Sequence, residues 1–256
     1  MVSYDFSDRV AAVTGGSSGI GRETAIHFAK HGASVVVADV DDEKGEDVVS
    51  TIEDDGGEAV YVHTDVTDMD QVAEMVQTAI DEYGRLDYAV NNAGIGGQQV
   101  PAGDHTEESW QKVIDINLNG VWRSLKAELE EMVGQDEGGV VINMASVLGH
   151  VGFETSSAYV SAKHGVLGLT KTAAWEYAEE DVRVNAVCPG FIETQMLEEG
   201  GITEDPEVRA QIEAMHSQQR LGQPEEIADA VMWLCSDGAS FTNGEALTVD
   251  SGFTSR

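Results

Sequence analysis

Residues 14–21 read TGGSSGIG and follow directly on the strand-like run 9–14, RVAAVT. An amphipathic helical pattern continues from the glycines to about residue 31. Glycines between a strand and a helix allow a tight turn and close backbone approach, and the helix N-terminus offers unpaired N–H groups to an anion. The stretch therefore predicts a phosphate-binding turn formed by Gly15, Ser17, Ser18, Gly19, Ile20 and Gly21.

The same letters fit two other motifs. Residues 16–21 nearly form a P-loop, but Arg22 and Glu23 stand where that motif requires Lys and Ser/Thr. Residues 15–19, GGSSG, fit the nucleophile elbow of α/β hydrolases, with Ser17 as the nucleophile. That elbow needs an oxyanion-hole N–H from a loop after an earlier strand, and too few residues precede Ser17 to build one. A dinucleotide-binding turn is therefore favoured.

Strand and helix patterns alternate along the rest of the chain. We predict strands at 34–39, 58–63, 86–91, 139–145, 182–188 and 246–249. We predict helices at 42–54, 68–83, 106–133 and 156–178, and near 206–217 and 224–234. This alternation predicts an α/β, Rossmann-type, doubly wound parallel sheet of about seven strands with helices on both faces.

The chain carries no composition break and no Pro/Ser-rich linker. We therefore predict a single domain over 1–256. Its cofactor half spans about 1–145, and its catalytic and substrate-loop part spans about 146–256. Ligands of such folds bind beyond the carboxyl ends of the strands, so functional residues are expected just after strands.

The charge of the chain is strongly negative. Its 47 acidic residues against 14 basic ones give a formal net charge of −33. A surface of this kind repels nucleic acid and anionic membranes, so neither is predicted as a partner. The acids are spread along the chain, as in proteins of salt-loving microbes with molar salt inside the cell. An acidic protein working in ordinary salt, or one that recruits a cationic partner, remains an alternative.

The compartment is predicted from what the sequence lacks. No apolar run has the length needed to cross a bilayer. The polar residues 1–8 lack the basic and apolar regions of a signal peptide, so we predict a cytoplasmic protein. Neither Cys188 nor Cys235 has a metal-ligand spacing; we predict two buried free cysteines and no metal site.

Two acids after strands suggest how an adenosine would be held. Asp39 ends the second predicted strand, 18 residues after Gly21. A carboxylate there can accept both ribose hydroxyls and repels a 2′-phosphate, and residues 40–43, VDDE, offer no Arg to that phosphate. The cofactor prediction is therefore NAD. Asp65 follows the third strand and could accept from the adenine amino group, or be a solvated acid.

Four further residues suggest acid–base chemistry. Tyr159 and Lys163 lie four apart on a predicted helix and share a face. A cation about 4 Å away could supply the roughly 4 kcal/mol needed to bring a tyrosine pKa from about 10 towards 7. Ser146 directly follows a strand, and Asn117 lies inside the long predicted helix, where asparagine is unfavourable. Each alone is weak, because a surface pair, a turn residue and a solvated amide are common.

Taken together, these pieces resemble the short-chain dehydrogenase/reductase family over nearly the whole chain. The matching pieces are the glycine turn, Asp65 with Val66, NNAG at 91–94, Asn117, Ser146, Tyr159 with Lys163, Pro189 with Gly190, and NGEALTVDSG at 243–252. One small departure is Ser251, where the family often has Gly. The resemblance implies an oxidoreductase that moves a hydride between NAD and a secondary alcohol, sugar hydroxyl or ketone.

The resemblance also implies roles for individual residues. Tyr159 would be the acid/base, and Lys163 would lower its pKa and bond the nicotinamide ribose. Ser146 would orient the reacting oxygen, and Asn117 would position a water linking Lys163 to solvent. The remaining cofactor-binding residues implied are Asn92, Ala93 and Gly94 near the ribose, with Pro189, Gly190, Ile192 and Thr194 near the nicotinamide. A non-catalytic dinucleotide-sensing module of the same fold remains the alternative.

The substrate pocket is expected to be mostly apolar. Its predicted lining residues are Gly96, Gln98, Val147, Leu148, Val151, Phe153, Phe191, Met196, Leu197 and Met215. Such a lining favours a neutral, compact alcohol, cyclic or aliphatic, although the Met and Leu residues of 193–217 could instead pack helices. The acidic surface argues against docking an acidic carrier protein and does not exclude a free sugar. The family resemblance further implies a homotetramer in which helices 106–133 and 156–178 pack against a neighbour.

Overall fold

Seven strands form one sheet in the computed structural model, which describes residues 4–200 and 205–255. The strands are β1 (Val10–Thr14), β2 (Ser34–Asp39), β3 (Glu58–His63), β4 (Tyr88–Asn91), β5 (Gly139–Met144), β6 (Val182–Pro189) and β7 (Ala246–Val249). Their order is β3-β2-β1-β4-β5-β6-β7, and every pairing is parallel. The order reverses between β1 and β4, so a ligand crevice is expected beyond their carboxyl ends.

Helices cover both faces of this sheet, and the predicted fold class is confirmed. The helices are α1 (Gly19–Lys30), α2 (Asp42–Asp54), α3 (Met69–Tyr83), α4 (Glu107–Ile114), α5 (Val121–Met132), α6 (Ser157–Glu176), α7 (Gln195–Glu199), α8 (Pro206–Ala214) and α9 (Pro224–Cys235). The first face buries side chains of α1, α2 and α9, and the opposite face those of α3, α5 and α6. Among the described residues, no helix combines the length and apolarity that a membrane span requires.

The long helix predicted at 106–133 is not continuous. It is divided into α4 and α5 by a π-helical turn at Asp115–Gly120. Sequence periodicity does not reveal such a turn, because one wider turn shifts the apolar pattern by only one residue. The short helix α7 was also not predicted, and α8 ends at Ala214, earlier than expected.

Candidate active site

The turn between β1 and α1 has the features of an anion site. Ser18 precedes α1 without a side-chain capping hydrogen bond, and the first turn of α1 carries no acid. By contrast, the carboxylates of Asp41 and Asp68 cap α2 and α3. A Cβ on Gly21 would lie 2.0 Å from the Gly15 carbonyl oxygen, so only glycine fits there. Open N–H groups and a close-approach backbone fit the pyrophosphate of a dinucleotide.

The turn is tied to the segment after β4. Asn92 Nδ2 donates to the carbonyl oxygens of Thr14 at 3.1 Å and Gly15 at 3.0 Å. Thr14 Oγ1 accepts from the backbone N–H groups of Asn92 at 3.0 Å and Ala93 at 3.2 Å. These bonds bring Gly15, Asn92 and Ala93 together at the point where the strand order reverses. Thr14 was not singled out from the sequence, where it only ended a strand.

Asp39 lies beside the glycine turn. Its Oδ2 accepts from the backbone N–H of Ser17 at 3.1 Å and from the Ser17 hydroxyl at 2.7 Å. Its Oδ1 accepts from the N–H groups of Val40 at 2.7 Å and Asp41 at 3.1 Å. The carboxylate is therefore fixed between the glycine turn and the start of α2, where an adenosine ribose would approach.

The other predicted adenosine contact lies one strand further along the edge. Asp65 Oδ1 accepts from the N–H of Thr67 at 2.9 Å and from its hydroxyl at 2.8 Å. These bonds stabilise the loop after β3, and an additional contact of Asp65 with adenine stays a prediction. Val66 is buried beside it.

The segment after β6 crosses the glycine turn. Thr194 Cγ2 lies 3.2 Å from the position of a Cβ on Gly19. Within α7, Met196 Cγ lies 3.8 Å from the position of a Cβ on Gly96. Ile192 forms an isolated parallel bridge with Gly222. The α7 segment therefore spans the crevice from the glycine turn to the loop after β4.

Tyr159, Lys163 and Ser146 come together at the carboxyl end of β5. Lys163 is 3% exposed, and its Nζ donates to the Met144 carbonyl oxygen at 2.7 Å. The same Nζ lies 5.6 Å from the centroid of the Tyr159 ring. The Ser146 hydroxyl accepts from the Leu148 N–H at 3.1 Å and is hydrogen-bonded to Tyr159. A hydroxyl, a phenol and an ammonium group thus lie together, with Ser146 and Lys163 buried and Tyr159 half-buried.

The expected lowering of the Tyr159 pKa is wrong for this structure. Burial raises the Tyr159 pKa above 10.0, and the hydrogen bond from Ser146 opposes this only in part. Burial also lowers the pKa of Lys163 to about 8. The reason is that Lys163 is directed at a main-chain carbonyl, so the cost of burying a charged group outweighs the attraction that sequence spacing suggested.

Asn117 lies in the π-helical turn and is fully buried, so it is not a solvated mid-helix amide. Its Oδ1 accepts from the Ile95 N–H at 2.9 Å, and its Nδ2 donates to the Ile95 carbonyl oxygen at 2.8 Å. Its Oδ1 lies 3.3 Å from the position of a Cβ on Gly94. The wider turn therefore directs Asn117 at the segment that follows β4.

The predicted substrate residues divide into three groups. Phe153, Phe191, Leu197 and Met215 pack in one apolar cluster with Ile212, Leu221 and Phe253. Val147 and Leu148 are buried in a 3₁₀ turn directly after Ser146, and Val151 next to them is half-buried. Gly96, Gln98 and Met196 are exposed on the segments that meet at α7. The apolar cluster is the part of this set that can form a pocket wall.

Two residues of this wall were not found from the sequence. Phe253 stacks its edge against Phe191 at 5.7 Å between ring centroids, and Phe191 lies 5.5 Å from Phe153. His216 is 3% exposed, and its Nε2 accepts from the Phe191 N–H at 3.3 Å. It also lies 3.0 Å from the position of a Cβ on Gly190. Both come from segments distant in sequence, and neither stands in a recognisable motif.

Comparison with known proteins agrees with this architecture. A family model described as Enoyl-(Acyl carrier protein) reductase matches residues 15–254. The chain is 40% identical over 256 residues to a cyclohexanol dehydrogenase of Acinetobacter sp. (strain SE19), with 100% of this chain and 99% of that protein covered. It is 44% identical over 249 residues to a cis-4-hydroxycyclohexanecarboxylate dehydrogenase of Sinomonas cyclohexanicum, with 97% and 98% covered.

A solved structure is similar over the same extent. The crystal structure of levodione reductase superimposes with a TM-score of 0.94 at 38% identity, covering 98% of this chain and 99% of that one. The chain therefore belongs to the short-chain dehydrogenase/reductase family, whose members generally use a nicotinamide cofactor. It is an enzyme of the dehydrogenase/reductase type.

Proposed function

We propose that this protein is an NAD-dependent oxidoreductase that interconverts a secondary alcohol on a ring with the corresponding ketone. The observation that carries the proposal is the grouping of Ser146, Tyr159 and Lys163 at the carboxyl end of β5. The apolar wall containing Phe153, Phe191 and Phe253 suits an uncharged ring. The relatives named after cyclohexanol and hydroxycyclohexanecarboxylate support the same substrate class.

In this proposal Tyr159 moves the proton. Its raised pKa keeps the phenol protonated at neutral pH, so Tyr159 donates to the oxygen of a ketone during reduction. Ser146 holds that oxygen through its hydroxyl, and Lys163, whose Nζ lies 5.6 Å from the centroid of the Tyr159 ring, places a positive charge near the ring while it is protonated. A bound nicotinamide ring supplies or accepts the hydride. Alcohol oxidation needs the phenolate first, so its rate is expected to rise with pH in the alkaline range.

The cofactor preference rests on Asp39. Its carboxylate, fixed by Ser17 and by two backbone N–H groups, would face a 2′-phosphate with a like charge. Val40, which follows it, is 58% exposed and provides no cation. We therefore propose NAD over NADP.

The test is a dehydrogenase assay that compares ring and open-chain alcohols. Cyclohexanol, 2-hexanol and glucose are offered with NAD and with NADP, at high and low salt, and reduced cofactor is followed by its absorbance. We expect the highest kcat/KM for cyclohexanol with NAD. Equal efficiency with 2-hexanol would overturn the ring preference. Tight NAD binding without turnover of any alcohol or ketone would instead favour a dinucleotide-sensing module.

We further propose a cytoplasmic homotetramer. Trp175 on α6 is 88% exposed, and Trp122 on α5 is 50% exposed. Both helices pack on the same face of the sheet, and large exposed apolar side chains are typical of a surface that another subunit covers. Light scattering is expected to give four times the chain mass at molar salt; a monomer mass across protein and salt concentrations would contradict this.

A further inference from the structure

One arginine of this acidic chain is directed at the π-helical turn. Arg123, on the first turn of α5, donates from Nη2 to Asp115 Oδ1 at 2.8 Å. From Nη1 it donates to the carbonyl oxygens of Asp115 at 3.3 Å and Val66 at 3.4 Å. The same Asp115 Oδ1 accepts from Asn119 Nδ2 at 3.2 Å. The guanidinium therefore joins the beginning of the π turn to the loop that follows β3.

These contacts differ from an ordinary surface ion pair. The side chains of Arg123 and Asp115 are only 19% and 33% exposed. By comparison, Lys126 and Glu130 on the same helix pair across one turn with 45% and 68% exposure. Exposed pairs of the second kind contribute little. The planar guanidinium of Arg123 reaches a carboxylate and two carbonyls from two separate nitrogens, whereas an ammonium group would have to reach all three acceptors from a single nitrogen.

The contacts matter because of what the π turn carries. Asn117 lies in this turn and reaches Ile95 only because the wider turn directs its amide inward. On the other side, a Cβ on Gly120 would lie 2.7 Å from Val66 Cγ2, so the turn packs tightly on the loop after β3. A π turn is an unfavourable helix geometry that needs support from outside the helix.

We propose that Arg123, through Asp115 and the Val66 carbonyl, is a positioning residue that holds the π turn and thereby keeps Asn117 in its active orientation. The proposal rests on the proposed function, because it assumes that Asn117 positions the water that links Lys163 to solvent, which we call the proton path of that reaction. It extends that function by linking the proton path to Val66, on the adenosine side of the crevice. Arg123 itself touches neither substrate nor cofactor.

The test is Arg123→Met in the full-length protein, with Lys126→Met as the control. Both changes remove one cation from α5, but only the first touches the π turn. For Arg123→Met we expect kcat for ring-alcohol oxidation to fall about tenfold or more, as for a misplaced catalytic group. The KM for the alcohol should change less than about threefold, and the solvent deuterium effect on kcat should increase. The kcat of Arg123→Lys should lie between those of the wild type and Arg123→Met.

Two outcomes would overturn the proposal. The first is an unchanged kcat and solvent isotope effect in Arg123→Met. The second is an equal loss in Lys126→Met. Hydrogen–deuterium exchange gives a readout independent of turnover: exchange at 115–120 should increase in Arg123→Met and not in Lys126→Met, and equal exchange in both variants counts against the proposal. An inactive wild-type protein that shows this exchange difference would reject the proposed function while leaving the π-turn support standing.

Discussion

The two faces of the sheet bury different kinds of side chain. Under α1, α2 and α9 the core cluster contains large apolar groups such as Phe28, Ile142 and Met232, each less than 2% exposed. Under α3, α5 and α6, the core cluster borders a buried polar network. Asn91 Nδ2 donates to Glu128 Oε2 at 3.0 Å and to Asn143 Oδ1 at 3.0 Å, and Asn143 Nδ2 donates to the Thr170 hydroxyl at 2.9 Å.

This network is not fully satisfied. Within the described residues, Asn91 Oδ1 and Ser124 Oγ are buried without a hydrogen-bond partner. Glu128 is 1% exposed, and burial raises its pKa to about 8 although the bond from Asn91 opposes this. Partly satisfied buried polar groups cost stability. The polar face is also the face whose helices carry Asn117, Tyr159 and Lys163, so stability and catalysis are expected to separate between the two faces.

The largest expected effect tests the polar face. Tyr159→Phe should lower kcat by about 10²–10⁴-fold, because it removes the proton-transfer group, while the Kd for NAD changes little. The matched control is Tyr88→Phe, the same change on the apolar face, where the ring packs against Phe6 and Phe28. Steady-state kinetics measure kcat, and fluorescence titration measures the Kd for NAD, in both variants. Near wild-type turnover in Tyr159→Phe would remove the catalytic assignment.

The next effect tests the apolar face. Met232→Ala removes a fully buried side chain of α9, so the free energy of unfolding should fall by about 2–5 kcal/mol. Activity at temperatures well below melting should be retained, because Met232 lies on the face opposite to Tyr159. Denaturant unfolding and kcat are measured together. A large loss of kcat without loss of stability would contradict the separation of roles between the faces.

Glu128→Gln tests the buried polar network and, unlike Met232→Ala, is expected to increase the free energy of unfolding. The folded protein holds the Glu128 proton up to a pKa of about 8, against a reference value of 4.5. The stability that this proton provides is complete below pH 4.5 and is lost as the pH rises towards 8. The variant should therefore gain stability relative to wild type with rising pH, by on the order of 1–3 kcal/mol above pH 8. Glu130→Gln, exposed on the same helix, should show no such pH-dependent gain; identical profiles for both variants would count against a buried, protonated Glu128.

A smaller effect is expected for cofactor choice. Asp39→Ala combined with Val40→Arg should change the ratio of kcat/KM for NAD over NADP by about 10–100-fold towards NADP, because it replaces a repulsive charge by an attractive one. Asp55→Ala, at the other end of α2, removes the same charge and should leave the ratio unchanged. A wild-type protein that is more efficient with NADP would show that Asp39 has been misinterpreted.

The smallest effect is expected from salt, which acts on the charged surface of the whole protein rather than on one face of the sheet. At about 0.1 M ionic strength the screening length is roughly 10 Å, and at 1 M about 3 Å, so repulsion within a chain of net charge −33 should weaken in salt. Melting temperature and activity are expected to rise together from dilute buffer to molar potassium chloride, by several degrees in Tm. A constant Tm and full activity in dilute buffer would remove the halophilic interpretation and leave the enzyme class untouched.

The elements that could be predicted from the sequence are those encoded within a few neighbouring residues. The glycine turn before α1 and the strands β1 to β3 follow from local pattern. Tyr159 and Lys163 are also placed together by helical spacing alone. The two cysteines are free and buried, as predicted.

What the sequence did not reveal depends mostly on surroundings contributed by distant segments. The pKa of Tyr159 depends on burial and on where Lys163 points, and Lys163 points at the Met144 carbonyl. Phe153 and Phe191 were predicted to line the pocket, but Phe253 and His216, which complete this wall, come from segments that no motif links to them. None of these relations has a local signature.

The sequence by itself therefore predicted the sheet, the glycine turn and the placement of Tyr159 and Lys163 on one helix face, because period and turn chemistry act over a few residues. Only the tertiary structure decided the π turn at Asn117 and the ionisation of the buried groups. The physical reason is that helix geometry and desolvation depend on packing partners, and Val66, which packs against the π turn, is 57 residues away from Arg123 in sequence. Such partners become neighbours only when the chain has folded.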